Sequence, residues 1–206
     1  MKLADYYRNT VDINDSLKGG WSIYYYGVFS KVINENKYKK IVEVGIGYGT
    51  HAKYILKNNT TIEKLYLVDP TKFYPNDGFA NDIMKQEPII HGNNFNELYD
   101  LIKQELSPWE NKVTWFRTES LSITNEQIPN DSIDCIFIDG DHSYQAVLND
   151  LRFWWNKLRV GGQILGDDYW MPEVERAVKE FASEYKIHFD LLTNPESNYK
   201  IFRFHK

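Results

Sequence analysis

Between Ile41 and His51 an apolar run, Ile41-Val42-Glu43-Val44, passes directly into three alternating glycines, Gly45, Gly47 and Gly49, and then into a helical pattern from Thr50 to Leu56. Glycine tolerates the positive φ of a tight turn and lets backbone N–H groups come close to a ligand. A strand that turns on glycine into a helix opens a β-α-β unit. That commits the chain to a parallel sheet, and in such sheets ligands bind beyond the carboxyl ends of the strands.

The rest of the sequence follows the same rhythm. Short β-type runs at Lys40–Val44, Lys64–Val68, Lys112–Phe116, Asp134–Ile138 and Gln163–Gly166 alternate with helical patterns. Two later runs, His188–Leu192 and Tyr199–Phe204, flank the turn signal Asn194-Pro195-Glu196-Ser197. The expectation is one α/β domain over residues 1–206: five strands joined by helices, closed by an antiparallel hairpin into a seven-stranded, mostly parallel sheet. In Ser143–Leu158, Val147, Leu151, Trp154, Trp155 and Leu158 recur at helical spacing, and Gly161-Gly162 is expected to stop that helix and open the next strand. Pro172 begins another helix with Val174, Ala177, Val178 and Phe181 on its buried face. Residues 1–33 read as an N-terminal helical cap carrying Trp21, Tyr24, Tyr25, Tyr26 and Phe29, and the core runs over 38–206. The stretch 71–108 reads as a crossover insertion of two helices around Pro88. Either segment could wall a site, and either could be plain packing.

Composition removes several function classes. With 24 basic and 29 acidic residues the net charge is −5, and no basic stripe is present, so no nucleic-acid partner is expected. No apolar stretch approaches the ~20 residues that span a bilayer, and the N-terminus carries no signal-type apolar run. No membrane association is expected, and a cytoplasmic location is. Cys135 is the lone cysteine, set in Asp-Cys-Ile-Phe-Ile-Asp, where it reads as a buried strand thiol.

The second strand ends at Asp69, 24 residues after Gly45, beside the tip of the first. A carboxylate there can accept both hydroxyls of a ribose. Taken together, Glu43-Val44-Gly45-Ile46-Gly47-Tyr48-Gly49 resembles the first motif of class I S-adenosylmethionine-dependent methyltransferases, and Asp69 matches their ribose-binding acid. The resemblance implies a Rossmann-like fold, S-adenosylmethionine as cofactor, and cofactor contacts from Glu43, Gly45, Gly47, Gly49, Asp69 and Asp139. It also implies Glu119 and Ser120, after the third strand, near the adenine. A nicotinamide-dependent oxidoreductase is the rival; a strict Gly-x-Gly-x-x-Gly would need glycine where Thr50 stands.

The later strands end in acids: Asp139-Gly140-Asp141-His142 after the fourth, and Asp167-Asp168 after the fifth. Adjacent strand tips bring Asp139, Asp167 and Asp168 over one crevice, where their charges repel unless a cation is shared, and Mg2+ suits such oxygen donors. The plainer alternative is that Asp141 or Asp168 only caps the helix that follows. His142, three residues after Asp139, suits removal of a hydroxyl proton as a general base; alternatively it packs or caps the helix start. His51 opens the helix after the glycine turn, while His91, His188 and His205 read as surface or loop residues.

The run from Asp139-Gly140-Asp141-His142-Ser143-Tyr144 to Gly166-Asp167-Asp168-Tyr169 is similar to the macrocin-type sugar O-methyltransferases. That resemblance implies Asp139, Asp167 and Asp168 as metal ligands, His142 as base, and a small-molecule or glycan hydroxyl as acceptor. A metal-independent methyltransferase acting on another acceptor stays open, as does assembly into a homo-oligomer.

Overall fold

The computed structural model describes residues 3–5, 23–72, 95–194 and 198–206. Among them are seven strands: β1 (Lys40–Val44), β2 (Lys64–Val68), β3 (Val113–Phe116), β4 (Ile133–Ile138), β5 (Leu158–Gly166), β6 (Phe189–Thr193) and β7 (Lys200–His205). They form one sheet in the order β3-β2-β1-β4-β5-β7-β6, parallel from β3 to β5 and antiparallel where β7 joins β5 and β6. The strand order reverses between β1 and β4, so the crevice for a ligand opens there.

Among the described residues, helices α1 (Ile23–Asn36), α2 (Thr50–Asn58), α3 (Phe95–Glu105), α4 (Tyr144–Lys157) and α5 (Pro172–Tyr185) cover the sheet. Side chains along a strand alternate between faces, and β1 shows the consequence. Ile41 packs with Phe29, Ile55 and Ile102 from α1, α2 and α3, whereas Val42 and Val44 pack with Leu151 and Trp154 of α4 and Phe181 of α5. Glu43 follows Ile41's parity and faces the α1–α2 side. Each buried aromatic or aliphatic chain in these two layers is worth roughly 1.5–3 kcal/mol of apolar transfer. The alternation thus holds the strand tips in register.

The expected elements appear with small shifts at their ends, and the clearest correction concerns Gly161-Gly162. The α4 helix stops earlier, at Lys157; Leu158 caps it in extended conformation and already begins β5. The two glycines lie inside β5, at an irregularity where β4 pairs Ile133 with Leu158 and then Cys135 with Gln163. A Cβ on Gly162 would stand 2.8 Å from the Asp134 carbonyl oxygen, so glycine is needed for close strand approach, not for a helix stop. The N-terminal aromatic run falls on α1, though residues 6–22 with Trp21, and the Tyr24 side chain, lie outside the described residues. So do 73–94, with Pro88 and His91, and the Pro195–Ser197 part of the hairpin turn. Cys135 is fully buried in β4.

Candidate active site

The three glycines after β1 all take positive φ, at 81°, 51° and 72°, but for different reasons. A Cβ on Gly45 would lie 1.9 Å from the Asp139 carbonyl oxygen, so Gly45 lets β1 and β4 tips meet. On Gly49 it would strike Ile102 of α3 at 2.5 Å. On Gly47 it would meet nothing within 4 Å. Gly47 is therefore the point where the turn borders open space, the shape a backbone-cradled ligand needs.

Asp69 extends from the end of β2 under this turn. Its carboxylate accepts the Ile46 N–H at 2.8 Å and the Thr71 N–H at 2.5 Å, which ties the glycine turn to β2. Burial pushes its pKa up, and those backbone N–H groups pull the other way. Each oxygen retains a further lone pair for a ligand hydroxyl. Glu43 sits deeper, buried beneath α2, with Oε1 3.4 Å from His51 Nδ1. Its Oε2 has no hydrogen-bond partner, and burial raises its pKa while His51 opposes the rise. His51 is therefore a core residue ringed by Tyr25, Tyr26, Phe29 and Phe137, not a solvent-facing one.

After β3, Glu119 pairs with Lys72, which follows Asp69 along the neighbouring strand end. Ser120 opens a short 3-10 turn, Ser120–Ser122, and its Oγ accepts the Trp154 indole N–H at 2.7 Å. The structure thus places Glu119 at the rim and Ser120 against α4.

At the β4 and β5 tips the acids converge. The Asp139 N–H donates to Val44 O at 2.8 Å and the Asp167 N–H to Ile138 O at 3.1 Å, so the sheet ladder itself carries both acids to the crevice. His142 Nε2 lies 2.8 Å from Asp168 Oδ2 and 3.8 Å from Asp139 Oδ1. One ligand-type atom from each of Asp139, His142 and Asp168 falls within 4.8 Å of the others. Asp168 holds a left-handed backbone, φ 54°, and its Oδ1 accepts the Trp170 indole N–H at 2.8 Å and the Tyr199 hydroxyl at 3.5 Å. Asp167 sits behind, 5% exposed, and its Oδ1 has no hydrogen-bond partner. Burial first, then the charges of Asp139 and Asp168, push its carboxyl well above the usual carboxylate range. Asp139 is raised as well, by burial and by Asp168, against the pull of His142 and Tyr25. Asp141 takes the Ser143 N–H at 2.8 Å and so shapes the start of α4.

This donor set fits a divalent cation. Asp139 and Asp168 offer carboxylate oxygens and His142 an imidazole nitrogen within one small volume, while Asp167, with its unpartnered Oδ1, lies behind them and outside that group. Sequence reasoning put Tyr25 in a segment that could wall the site and Tyr199 at the start of the last strand, but not the contacts of their hydroxyls with the acids, and it did not single out Trp170. Tyr25, on α1, donates its hydroxyl to Asp139 Oδ2 at 2.9 Å across 114 residues of chain. Trp170 lies two residues after Asp168 and is 58% exposed.

The fold has counterparts among known proteins. A family model for a methyltransferase domain matches residues 42–169, from β1 through the acidic pair after β5. Among solved structures, the O-methyltransferase NovP superposes with TM-score 0.64 at 20% identity, covering 89% of this chain and 80% of that one. A putative caffeoyl-CoA O-methyltransferase from Staphylococcus aureus gives 0.65 at 13% identity, covering 100% and 93%. An O-methyltransferase from Bacillus cereus in complex with SAH gives 0.61 at 12% identity, covering 92% and 84%. An uncharacterised protein of Acanthamoeba polyphaga mimivirus is 41% identical over 63 residues, a match spanning 29% of this chain and 28% of that protein. The likeness to the solved structures bears on the fold, and the family match bears on the kind of enzyme. The chain belongs to the methyltransferase domain family.

Proposed function

We propose that this enzyme methylates a hydroxyl of a small-molecule or sugar acceptor, with Asp139, Asp167 and Asp168 holding a divalent cation and His142 acting as general base. The observation that carries the reading is the meeting of His142 with two carboxylates at the strand tips, where the Asp139 carbonyl oxygen also packs against Gly45 of the open glycine turn. The methyl acceptor and the methyl donor would therefore meet across one crevice.

When bound, S-adenosylmethionine supplies an electrophilic methyl on its sulfonium, and the cation supplies positive charge that lowers the pKa of a hydroxyl beside it. Gly47 offers the open side of the turn to the methionine portion, and Asp69 offers its remaining lone pairs to the ribose. Glu119 and Ser120 border the adenine end. His142 takes the hydroxyl proton while Asp168 orients its ring. The protein's part is to position and to deprotonate. The acidic, oxygen-lined mouth favours a neutral polyol or catechol over an acidic acceptor.

A second reading is favoured by one distance. His142 Nε2, the atom that touches Asp168, lies where a ligand nitrogen would, so His142 itself would join Asp139 and Asp168 on the cation. His142→Ala separates the two. As base, the variant binds Mn2+ like the wild type while kcat falls by about 10²–10⁴-fold. As ligand, Mn2+ affinity falls with it. Transfer of labelled methyl to a panel of sugars, catechols and amines, with and without chelator, tests the reading as a whole. Full turnover in excess chelator overturns the cation, and transfer only to nitrogen acceptors overturns the hydroxyl.

A further inference from the structure

Two consecutive tyrosines of α1 grip the two halves of the site. The Tyr26 hydroxyl and Thr50 Oγ1 share a 2.5 Å hydrogen bond just beyond the glycine turn. The Tyr25 hydroxyl instead reaches Asp139, at the tip of β4. The Tyr25 ring has little freedom to leave. It stacks on Phe137 at 4.7 Å and 20°, and it meets His51 and Tyr26 edge-on, both at 4.9 Å. Beside it, His51 Nδ1 lies 3.4 Å from the buried Glu43 carboxylate. The residue is 3% exposed, so water does not compete for its hydroxyl.

We infer that Tyr25 is a positioning residue, which by occupying Asp139 Oδ2 turns Oδ1 toward His142 and Asp168 and fixes Asp139 as a one-oxygen ligand. A free carboxylate can rotate about its last bond and present either oxygen or both. Here one oxygen already has a donor held on three sides by rings, and the other faces the group 3.8 Å away at His142 Nε2. Hydrogen bonds of this kind to ligating side chains typically set metal affinity by 10–100-fold, because they fix the ligand's orientation before the ion arrives. The inference gives α1 a role in the site beyond packing. It rests on the reading of Asp139 as a cation ligand.

The test is Mn2+ binding to the full chain, followed by the loss of the free-ion electron paramagnetic signal, for wild type, Tyr25→Phe and Tyr26→Phe. Tyr25→Phe keeps the ring and removes only the hydroxyl. The expected result is at least about tenfold weaker Mn2+ binding, with affinity for the demethylated cofactor product changed less than twofold. Tyr26→Phe loosens the same helix without touching Asp139, and its Mn2+ affinity stays at the wild-type value. Equal Mn2+ affinity in wild type and Tyr25→Phe overturns the inference alone. Equal weakening in both variants also overturns it, since that reports a displaced helix. A wild-type protein that binds no Mn2+ overturns the cation reading, and this inference with it.

Discussion

Asp150 offers a stability measurement whose sign and size follow from the structure. It lies on the inner face of α4, 7% exposed, close behind Gly140 and the Ser120 turn. Burial pushes its carboxyl up to about 7, with the charges of Asp141 and Glu119 adding to the rise and a hydrogen bond from Ser120 opposing it. From the ordinary 3.8 this is a rise of about 3 units, on the order of 4 kcal/mol at 1.36 kcal/mol per unit. In the unfolded chain the group loses its proton near pH 4, but in the folded protein it keeps it to about pH 7. Between these values the folded state binds the extra proton, so stability falls by about 1.4 kcal/mol per pH unit as pH rises. The contribution is fully present below about pH 4 and is gone above about pH 7. Asp150→Asn removes the titration and keeps an acceptor for Ser120, at a cost of about 1 kcal/mol for a weaker hydrogen bond. Denaturant unfolding of both proteins from pH 5 to pH 9 should show the variant gaining about 3 kcal/mol on the wild type between pH 5 and 7, then holding a constant lead. In thermal unfolding that gain is roughly 6–12 °C for a chain of this size. Other buried acids are present in both proteins and cancel in the difference. Parallel stability curves across the whole range would refute the reasoning.

The glycine turn gives a paired prediction. Gly45→Ala, which drives a Cβ into the Asp139 carbonyl, should yield no soluble folded protein, whereas Gly47→Ala should fold with a loss of about 1–2 kcal/mol for its left-handed backbone. In calorimetry the folded Gly47→Ala protein should bind the cofactor product less tightly by about 1–3 kcal/mol; unchanged affinity would place the cofactor elsewhere. Asp69→Asn should weaken that binding by about 1.5–3 kcal/mol through loss of a charged acceptor. Wild-type affinity in that variant would leave Asp69 as no more than the tie between Ile46 and Thr71.

How much of this was legible in the sequence depends on how far apart in the chain the deciding residues lie. The β1 and β2 limits match the sequence reading residue for residue, because short apolar runs bounded by charge and glycine are local signals. The seven-stranded sheet and its antiparallel end followed from the same patterns. Gly161-Gly162 misled because two glycines after a helix usually mean a cap, and only the strand pairing shows that they serve close approach to Asp134. The convergence of Asp139 and Asp168 was readable, since each ends a strand and the strands are neighbours. Glu43 was readable only in part. Its place beside the glycines is clear in sequence, but its burial against His51 is set by strand parity and by the α2 docking angle.

Tyr25 marks the limit of local reading and shows why the limit falls where it does. The run Tyr24-Tyr25-Tyr26 followed by Phe29 reads as a packed helix whichever residue points inward, and packing is indeed what Phe29 does. Nothing within ten residues of Tyr25 distinguishes a tyrosine needed for its ring from one needed for its hydroxyl. The distinction comes from Asp139, 114 residues on, whose Oδ2 takes the Tyr25 hydroxyl in a partly buried position. Leaving that oxygen without a donor costs about 1–3 kcal/mol, against about 0.5–1.5 kcal/mol for an aromatic pair in the same place. The hydroxyl at position 25 is therefore specified by the chemistry of the β4 tip, while the ring is specified by Phe137 and His51. Phenylalanine would satisfy the second demand and fail the first, so the two requirements can be separated in a single-atom substitution.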